Sequence, residues 1–271
     1  MITVPLERRT HRSVLGVRCI DAATGAVVGD GLEVTAWQIG GHGPLFAALR
    51  AASSGVYGLR SLPGLEAYVR DERPLTDFCA DADAPPTYYL AIEDRQRRFL
   101  PQLHRLCLPR AALIVLPLYS NPARALGPTV GVLRGQAVQK TAGDPAPAPY
   151  AILTARFGNN GPVYETVSDE RGAFALFVPY PKPGTPPGQW TVTVRVRSNV
   201  ASLTSLPGIP IPSLAALPDF AVIMAQANRQ IFDTSSDATS VNAITRTLVA
   251  GVDLVVASNE GGQRLFIQSS A

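Results

Sequence analysis

The side chains best suited to metal binding or nucleophilic chemistry in this 271-residue chain are few: His11, His42 and His104, and Cys19, Cys79 and Cys107. A zinc site gathers three or four such ligands, usually as close pairs. His104 and Cys107 form the one close pair. They fall in "LHRLCLP" (103–109), read as a strand, where residues three apart face opposite sides, so they should not share a metal. His11 lies in a basic N-terminal arm and His42 in a "GGHGP" loop. A serine hydrolase needs a base and an orienting acid, but GxSxG is absent and no motif sets Ser and Asp beside His104. Cysteine catalysis pairs a thiolate with histidine. Cys19 and Cys107 fall in apolar strand patterns and are expected as buried thiols. Cys79, in "DFCADAD", is expected to be the most exposed, among acids that disfavour its thiolate. An odd, sparse set is no disulfide framework. GxxxxGK[ST] is missing, as is GxGxxG between a strand and a helix. "DADA" at 81–84 lacks the closing glutamate of a calcium loop. Paired glycosidase carboxylates need a cleft, and the architecture read below offers no obvious one. The expectation is a non-enzymatic protein without metal, cofactor or small-molecule substrate.

Composition narrows the partners. Charged residues make up 17% of the chain and hydrophobic ones 46%, against about 25% charged in soluble domains. That shortage fits either a neutral, proline-rich surface or extensive subunit contact. The 24 basic and 21 acidic residues leave a net charge of +3, and the densest basic run is "RQRRF" at 95–99. Nucleic-acid binders carry a basic face with stacking aromatics; one basic turn reads as a solvated hairpin tip, so no nucleic acid is expected. "MITVPLERRTHRSVLG" holds no apolar h-region of a secretory signal. "AALIVLPLY" at 111–119 is too short to span a bilayer. The expected location is the cytoplasm, or a particle assembled there.

The elements that would hold any site read as β throughout. The 24 prolines and 23 glycines fall between short β-type runs. "SVLGVRCID" (13–21), "LEVTAW" (32–37), "TYYLAIED" (87–94), "YAILTARF" (150–157) and "AFALFVP" (173–179) are strand candidates. "WTVTVRVRS" alternates, with Trp190, Val192, Val194 and Val196 on one face and Thr191, Thr193, Arg195 and Arg197 on the other, as a strand with one buried face does. "PLFAALRAA" (44–52) is the best helix candidate. Two related units emerge. Each carries a strand ending in aspartate, a charged tip and a phenylalanine five positions on: Asp94 to Phe99, and Asp169 to Phe174. The expected organisation is a first β-sandwich over 1–115 with a helical or loop insertion at 38–86, a linker at 116–128, a second β-sandwich over 129–198, and a tail at 199–271. The tail combines an apolar, proline-rich extended segment with a closing β-hairpin. Such a segment is a poor helix yet too apolar for a solvated linker. Leu203, Leu206, Pro207, Ile209, Pro210, Ile211, Leu214 and Phe220 are therefore expected to lie on a protein interface.

"IDAATGAVV" (20–28) and "SDERGAFAL" (168–176), with strands around them, resemble transthyretin-like, carboxypeptidase-regulatory-like β-sandwich modules, also immunoglobulin-like in layout. The resemblance implies that Gly25 shapes a tight hairpin, that Gly172 sits in the second tip, and that Phe174 enters the core. Such modules serve as accessory, adhesive and structural parts. The enzymes that share the fold carry a C-terminal "YRGS" or an iron site of two tyrosines and two histidines, neither of which this chain matches. "LPGLEAY", "DRQRRFLP" and "LPLYSNPAR" ahead of a second sandwich and a β tail more loosely resemble accessory proteins of phage-tail-like contractile injection systems. The expectation that follows is a structural component of a large assembly, such as a baseplate or connector, whose partners are other protein subunits. The alternatives are a carbohydrate- or surface-binding module using Trp37, Tyr57, Tyr88 and Tyr89 as platforms, and a hydrolase built around His104.

Overall fold

The computed structural model describes residues 13–40, 45–50, 53–69, 87–109, 112–127, 129–158, 160–180, 188–232, 239–258 and 262–269. The fold is all-β. The first eight strands are β1 (Leu15–Asp21), β2 (Leu32–Gln38), β3 (Phe46–Ala47), β4 (Leu49–Arg50), β5 (Val56–Leu59), β6 (Thr87–Asp94), β7 (Gln102–Cys107) and β8 (Ile114–Leu118), with a one-turn helix α1 (Glu66–Val69) after β5. They form two sheets, ordered β4-β5-β1-β8 and β3-β2-β6-β7. Between the sheets lies one hydrophobic core, where Leu15, Val17, Cys19, Leu59, Leu116 and Leu118 meet Val34, Ala36, Tyr88, Leu90 and Ile92. Alternation places these side chains inward, since successive strand residues point to opposite faces.

Two expectations change here. The 44–52 helix is absent where the chain is described: Phe46–Ala47 pairs with β2 and Leu49–Arg50 with β5. So short a helix cannot offset its own nucleation cost, while open strand edges beside it offer ladder partners. The 1–115 boundary also cuts through β8, which runs parallel to β1 from Val17↔Ile114 to Asp21↔Leu118. Most of the expected linker is therefore sheet or packed contact.

The later strands are β9 (Val130–Lys140), β10 (Ala146–Pro147), β11 (Ile152–Phe157), β12 (Val163–Val167), β13 (Ala173–Pro179), β14 (Gln189–Arg197), β15 (Asn228–Arg229), β16 (Ile231–Phe232), β17 (Ser240–Val241), β18 (Ile244–Val249), β19 (Leu254–Val255) and β20 (Arg264–Gln268), with helix α2 (Phe220–Met224) ahead of β15. One sheet is centred on β9, with β13 and β10 along one side and β20 and β19 along the other. The other runs β12-β11-β14, with β15 and β18 both on β14. A second core fills the space between them.

The 199–271 tail is thus not a docking segment followed by a hairpin. β18 extends the β14 sheet while β20 enters the β9 sheet in parallel. Ile231, Ile244, Leu248, Val256, Leu265 and Ile267 are all core residues. A hairpin would have put both strands in one sheet and left the other open beside β9.

The repeated tips are the same turn. Asp94 accepts from the amides of Gln96 (3.2 Å) and Arg98 (2.7 Å) through its carboxylate, and its carbonyl accepts from the Arg97 amide at 2.9 Å. Asp169 accepts from Arg171 (2.9 Å) and Ala173 (2.8 Å) through its carboxylate, and its carbonyl accepts from Gly172 at 3.0 Å. Phe99 and Phe174, five residues after each aspartate, are both buried. The fourth residue of each turn has positive φ: 78° at Gly172 and 56° at Arg97. A Cβ on Gly172 would stand 2.2 Å from the Ala137 carbonyl oxygen, so that tip admits only glycine. The first tip tolerates arginine, at a cost of about 1 kcal/mol for a left-handed L-residue. Arg97 is exposed. Arg97→Gly should therefore raise the unfolding free energy by roughly 0.5–1 kcal/mol, read as a higher urea midpoint at unchanged slope. Gly25 (φ 73°) donates to the Asp21 carbonyl at 2.8 Å and makes the tight turn after β1.

Candidate functional site

Six of the eight residues nominated for an interface pack, wholly or in part, within the chain. Leu214 and Leu217 are buried against Trp37, Tyr89, Ala91 and Leu103 on the outer face of the β3-β2-β6-β7 sheet, and Leu206, Ile209 and Ile211 pack beside them. Leu203 joins Phe220 and Ile223 on Tyr119, Ile152 and Val167. Pro207 and Pro210 are exposed on the outside of this strap. Extended proline-rich backbone has little conformational freedom left to lose and lays a row of apolar side chains along a groove. Here the groove belongs to the same molecule. With core on one side and strap on the other, β6 is buried on both faces, which is why Tyr88 to Ile92 reads as a continuous apolar run.

Polar contacts fasten the same region. Arg124 reaches Asp21 at 2.7 and 3.1 Å and Ser120 at 2.8 Å, and its guanidinium lies 4.5 Å from the Phe99 ring centroid. Burial acts to raise the Asp21 pKa, but hydrogen bonds from Arg124, the Ala23 amide and Thr24 outweigh it and hold the carboxyl below its usual range. Arg134 of β9 donates to the carbonyls of Pro122 and Arg124. Tyr119 donates to Glu165 at 2.9 Å, and Arg197 closes on the other oxygen of that carboxylate at 2.5 Å. Of the nominated tip residues, Asp94 and Phe99 build the β6–β7 hairpin, while Asp169, Gly172 and Phe174 turn the chain from β12 in one sheet to β13 in the other, and Gly25 makes its own turn after β1.

The remaining nominated chemistry is also structural. Trp37, Tyr57, Tyr88 and Tyr89 are buried, at 3%, 4%, 0% and 2% exposure, and so present no platform. His104 is enclosed, with Nε2 3.0 Å from Gln102 Oε1 and its ring 5.1 Å from that of Phe220. Burial lowers its pKa to about 4. Cys19 is a free, buried thiol whose pKa burial raises to about 12. Cys107 was expected to be a free thiol too, but it is half-buried and disulfide-bonded. It ends β7. His11, His42 and Cys79 lie outside the described residues. Among those described, no helix is long and apolar enough to cross a membrane.

What the fold leaves open is the outer face of the β4-β5-β1-β8 sheet. Register puts Leu49, Gly58 and Gly16 in one row and Val56, Arg18 and Val115 in the next. Leu49 is 57% exposed, Val115 49%, Val27 48% and Leu113 40%. Leu113 and Val56 lean over the bare Gly16. In their midst Arg18 Nε is buried with no hydrogen-bond partner among the described residues. In sequence, Gly16 and Arg18 marked this face of β1 as the one not wholly apolar. What could not be read locally was that Leu49, Leu113 and Val115 come to flank it.

No protein-family model matches the chain, and no curated protein matches it. Among solved structures, the Bacillus anthracis TIE protein aligns with 95% of this chain at 10% identity and a TM-score of 0.23. The chain spans about a third of that protein's length, 34%. A likeness of that size carries no argument about fold or function.

Proposed function

We propose that the chain is a non-enzymatic structural component of a large protein assembly, as a baseplate or connector of a phage-tail-like contractile particle would be, built from transthyretin-like modules. It docks through the outer face of the β4-β5-β1-β8 sheet. That face carries the reading: four exposed aliphatic side chains surround an arginine nitrogen that lacks an acceptor. Contiguous exposed apolar surface marks interaction sites. A buried donor left unpaired costs about 1–3 kcal/mol. The occupant that would relieve both is a protein surface with apolar side chains around one carboxylate, which would accept from Arg18 once its side chain turns outward and uncovers Nε. The proline-rich strap supports the reading in a different way. It makes the body a stiff spacer, with the docking face on its outside.

Val115→Glu tests this. The substitution places a charge on an exposed position and should leave the circular dichroism and thermal midpoint unchanged. Co-purification with partner subunits from the producing cell should fall to background. The exposed Val241→Glu, in β17, should co-purify normally. A Val115→Glu protein that folds and is still incorporated at the normal level would defeat the proposal.

A further inference from the structure

We infer a second site, on the outward face of the β14 sheet, for a linear acidic polysaccharide. Register sets Thr191, Thr193 and Arg195 of β14, Thr154 and Arg156 of β11, and Thr245 and Thr247 of β18 on one outward face. The end nearer the strap is covered by α2, where Arg197 donates to the Met224 carbonyl and is held by Glu165. The rest is open. Arg156 and Arg195 lie there in a hollow of about 320 Å³ with Thr154 and Thr193. Beyond Arg195 and Asn228 it continues into a second hollow of about 460 Å³, edged by Gln230, Asn242 and Gln268. In the other direction, at Gly158, it meets a cleft of about 570 Å³ at the open end of the second core.

That cleft is aromatic. Tyr180 and Trp190 stack with centroids 5.1 Å apart and planes 28° apart, and Phe157 meets Tyr164 edge-on at 6.0 Å. Tyr180 is fixed by its hydroxyl, which accepts from the Gly251 amide at 2.8 Å. The trough therefore offers three chemistries in a row: an aromatic pair, exposed guanidinium groups between threonines, and a group of side-chain amides. Sugar rings lay apolar C–H faces on aromatic rings. Hydroxyls match threonine and amide donors and acceptors. Guanidinium groups take carboxylates in charge-assisted pairs. A polymer with one carboxylate per sugar presents anions to Arg156 and Arg195 and hydroxyls to the threonines and amides beside them. Hydroxyl and amide side chains outnumber the exposed guanidinium groups along the trough, which suits a chain rich in hydroxyls better than a phosphodiester one.

The test is affinity electrophoresis of the full chain in gels containing polygalacturonate, dextran or poly(dT), with tryptophan fluorescence as a second readout. Polygalacturonate should retard the protein and shift the emission of the partly exposed Trp190; dextran and poly(dT) should do neither. The exposed pair Arg156→Ser/Arg195→Ser should lose about tenfold in affinity for polygalacturonate while keeping its thermal midpoint. Trp190→Phe should weaken retardation without abolishing it. No retardation by polygalacturonate, retardation undiminished in the double variant, or equal retardation by dextran would each overturn the acidic-glycan assignment. Preference for poly(dT) would replace it with single-stranded nucleic acid. The docking face lies on a different sheet, so the two proposals fail separately.

Discussion

A chain ending at Ser198 should not fold. It would carry β1 to β14, and so both repeated tips, the disulfide-bonded Cys107 and the full alternating strand 189–197. It would lack β18 beside β14, β20 and β19 beside β9, and the strap over the first unit. Six fully or nearly buried aliphatic residues go with it: Ile231, Ile244, Leu248, Val256, Leu265 and Ile267. At roughly 1.5–3 kcal/mol for each buried side chain, their loss is on the order of 10 kcal/mol, as large as the ~5–15 kcal/mol that holds a domain together. β9 would also become a bare edge along most of its length, a template for intermolecular pairing. The expected result is insoluble product, or soluble protein without near-ultraviolet dichroism and with strong binding of a hydrophobic dye. A soluble 1–198 fragment with a cooperative melt would show that the tail only decorates a complete fold.

Acid should weaken the protein through His104. In the folded chain burial holds this imidazole neutral down to about pH 4, against an ordinary value of 6.5. Between those pH values the unfolded chain takes up a proton that the folded chain refuses, so stability falls with falling pH across the window. The contribution is fully present above about pH 6.5 and gone below about pH 4. Its size follows from the difference between the two values, at about 1.4 kcal/mol for each pH unit, and comes to about 3 kcal/mol. His104→Gln removes the titration. Urea unfolding at pH 7 and pH 4.5 should show the native protein losing about 2 kcal/mol more than the variant over that interval. Equal losses would mean that His104 is hydrated in the folded state. Asp21 and Asp94, both held below the usual carboxylate range, keep their contributions until more acid conditions and do not confuse the comparison.

The β class and the repeated tips were legible because their signals are local. Alternation in 190–197 marks one face of β14 as inward, and Val192, Val194 and Val196 are buried as it requires. The Asp-to-Phe spacing encodes a turn closed by its own aspartate, whether glycine or arginine takes the positive φ. What failed was long-range. The apolar prolines of 203–218 say that the segment must be covered and say nothing of whether the cover is another chain or its own. β20 reads as a strand, but its parallel partner β9 stands more than a hundred residues earlier, and no pattern within either names the other. Leu45, Ala48, Leu49 and Ala52 have helical spacing, which so short an apolar run shares with edge strands. The apolar docking face fell between the two cases: β1 showed half of it, and β4 and β8 supplied the rest from elsewhere in the chain.

The placement of β20 between β9 and β16 has a consequence for synthesis. A nascent chain holds every strand of the two sheets around Leu15 and Leu90 once residue 118 has left the ribosome. The sheet that holds β9 must wait for residues 264–268, and Trp37, Tyr89 and Leu103 stay bare until the strap emerges. For that interval the growing polypeptide carries two unfinished oily surfaces at once, which makes it a natural client for chaperones that meet chains at the exit tunnel.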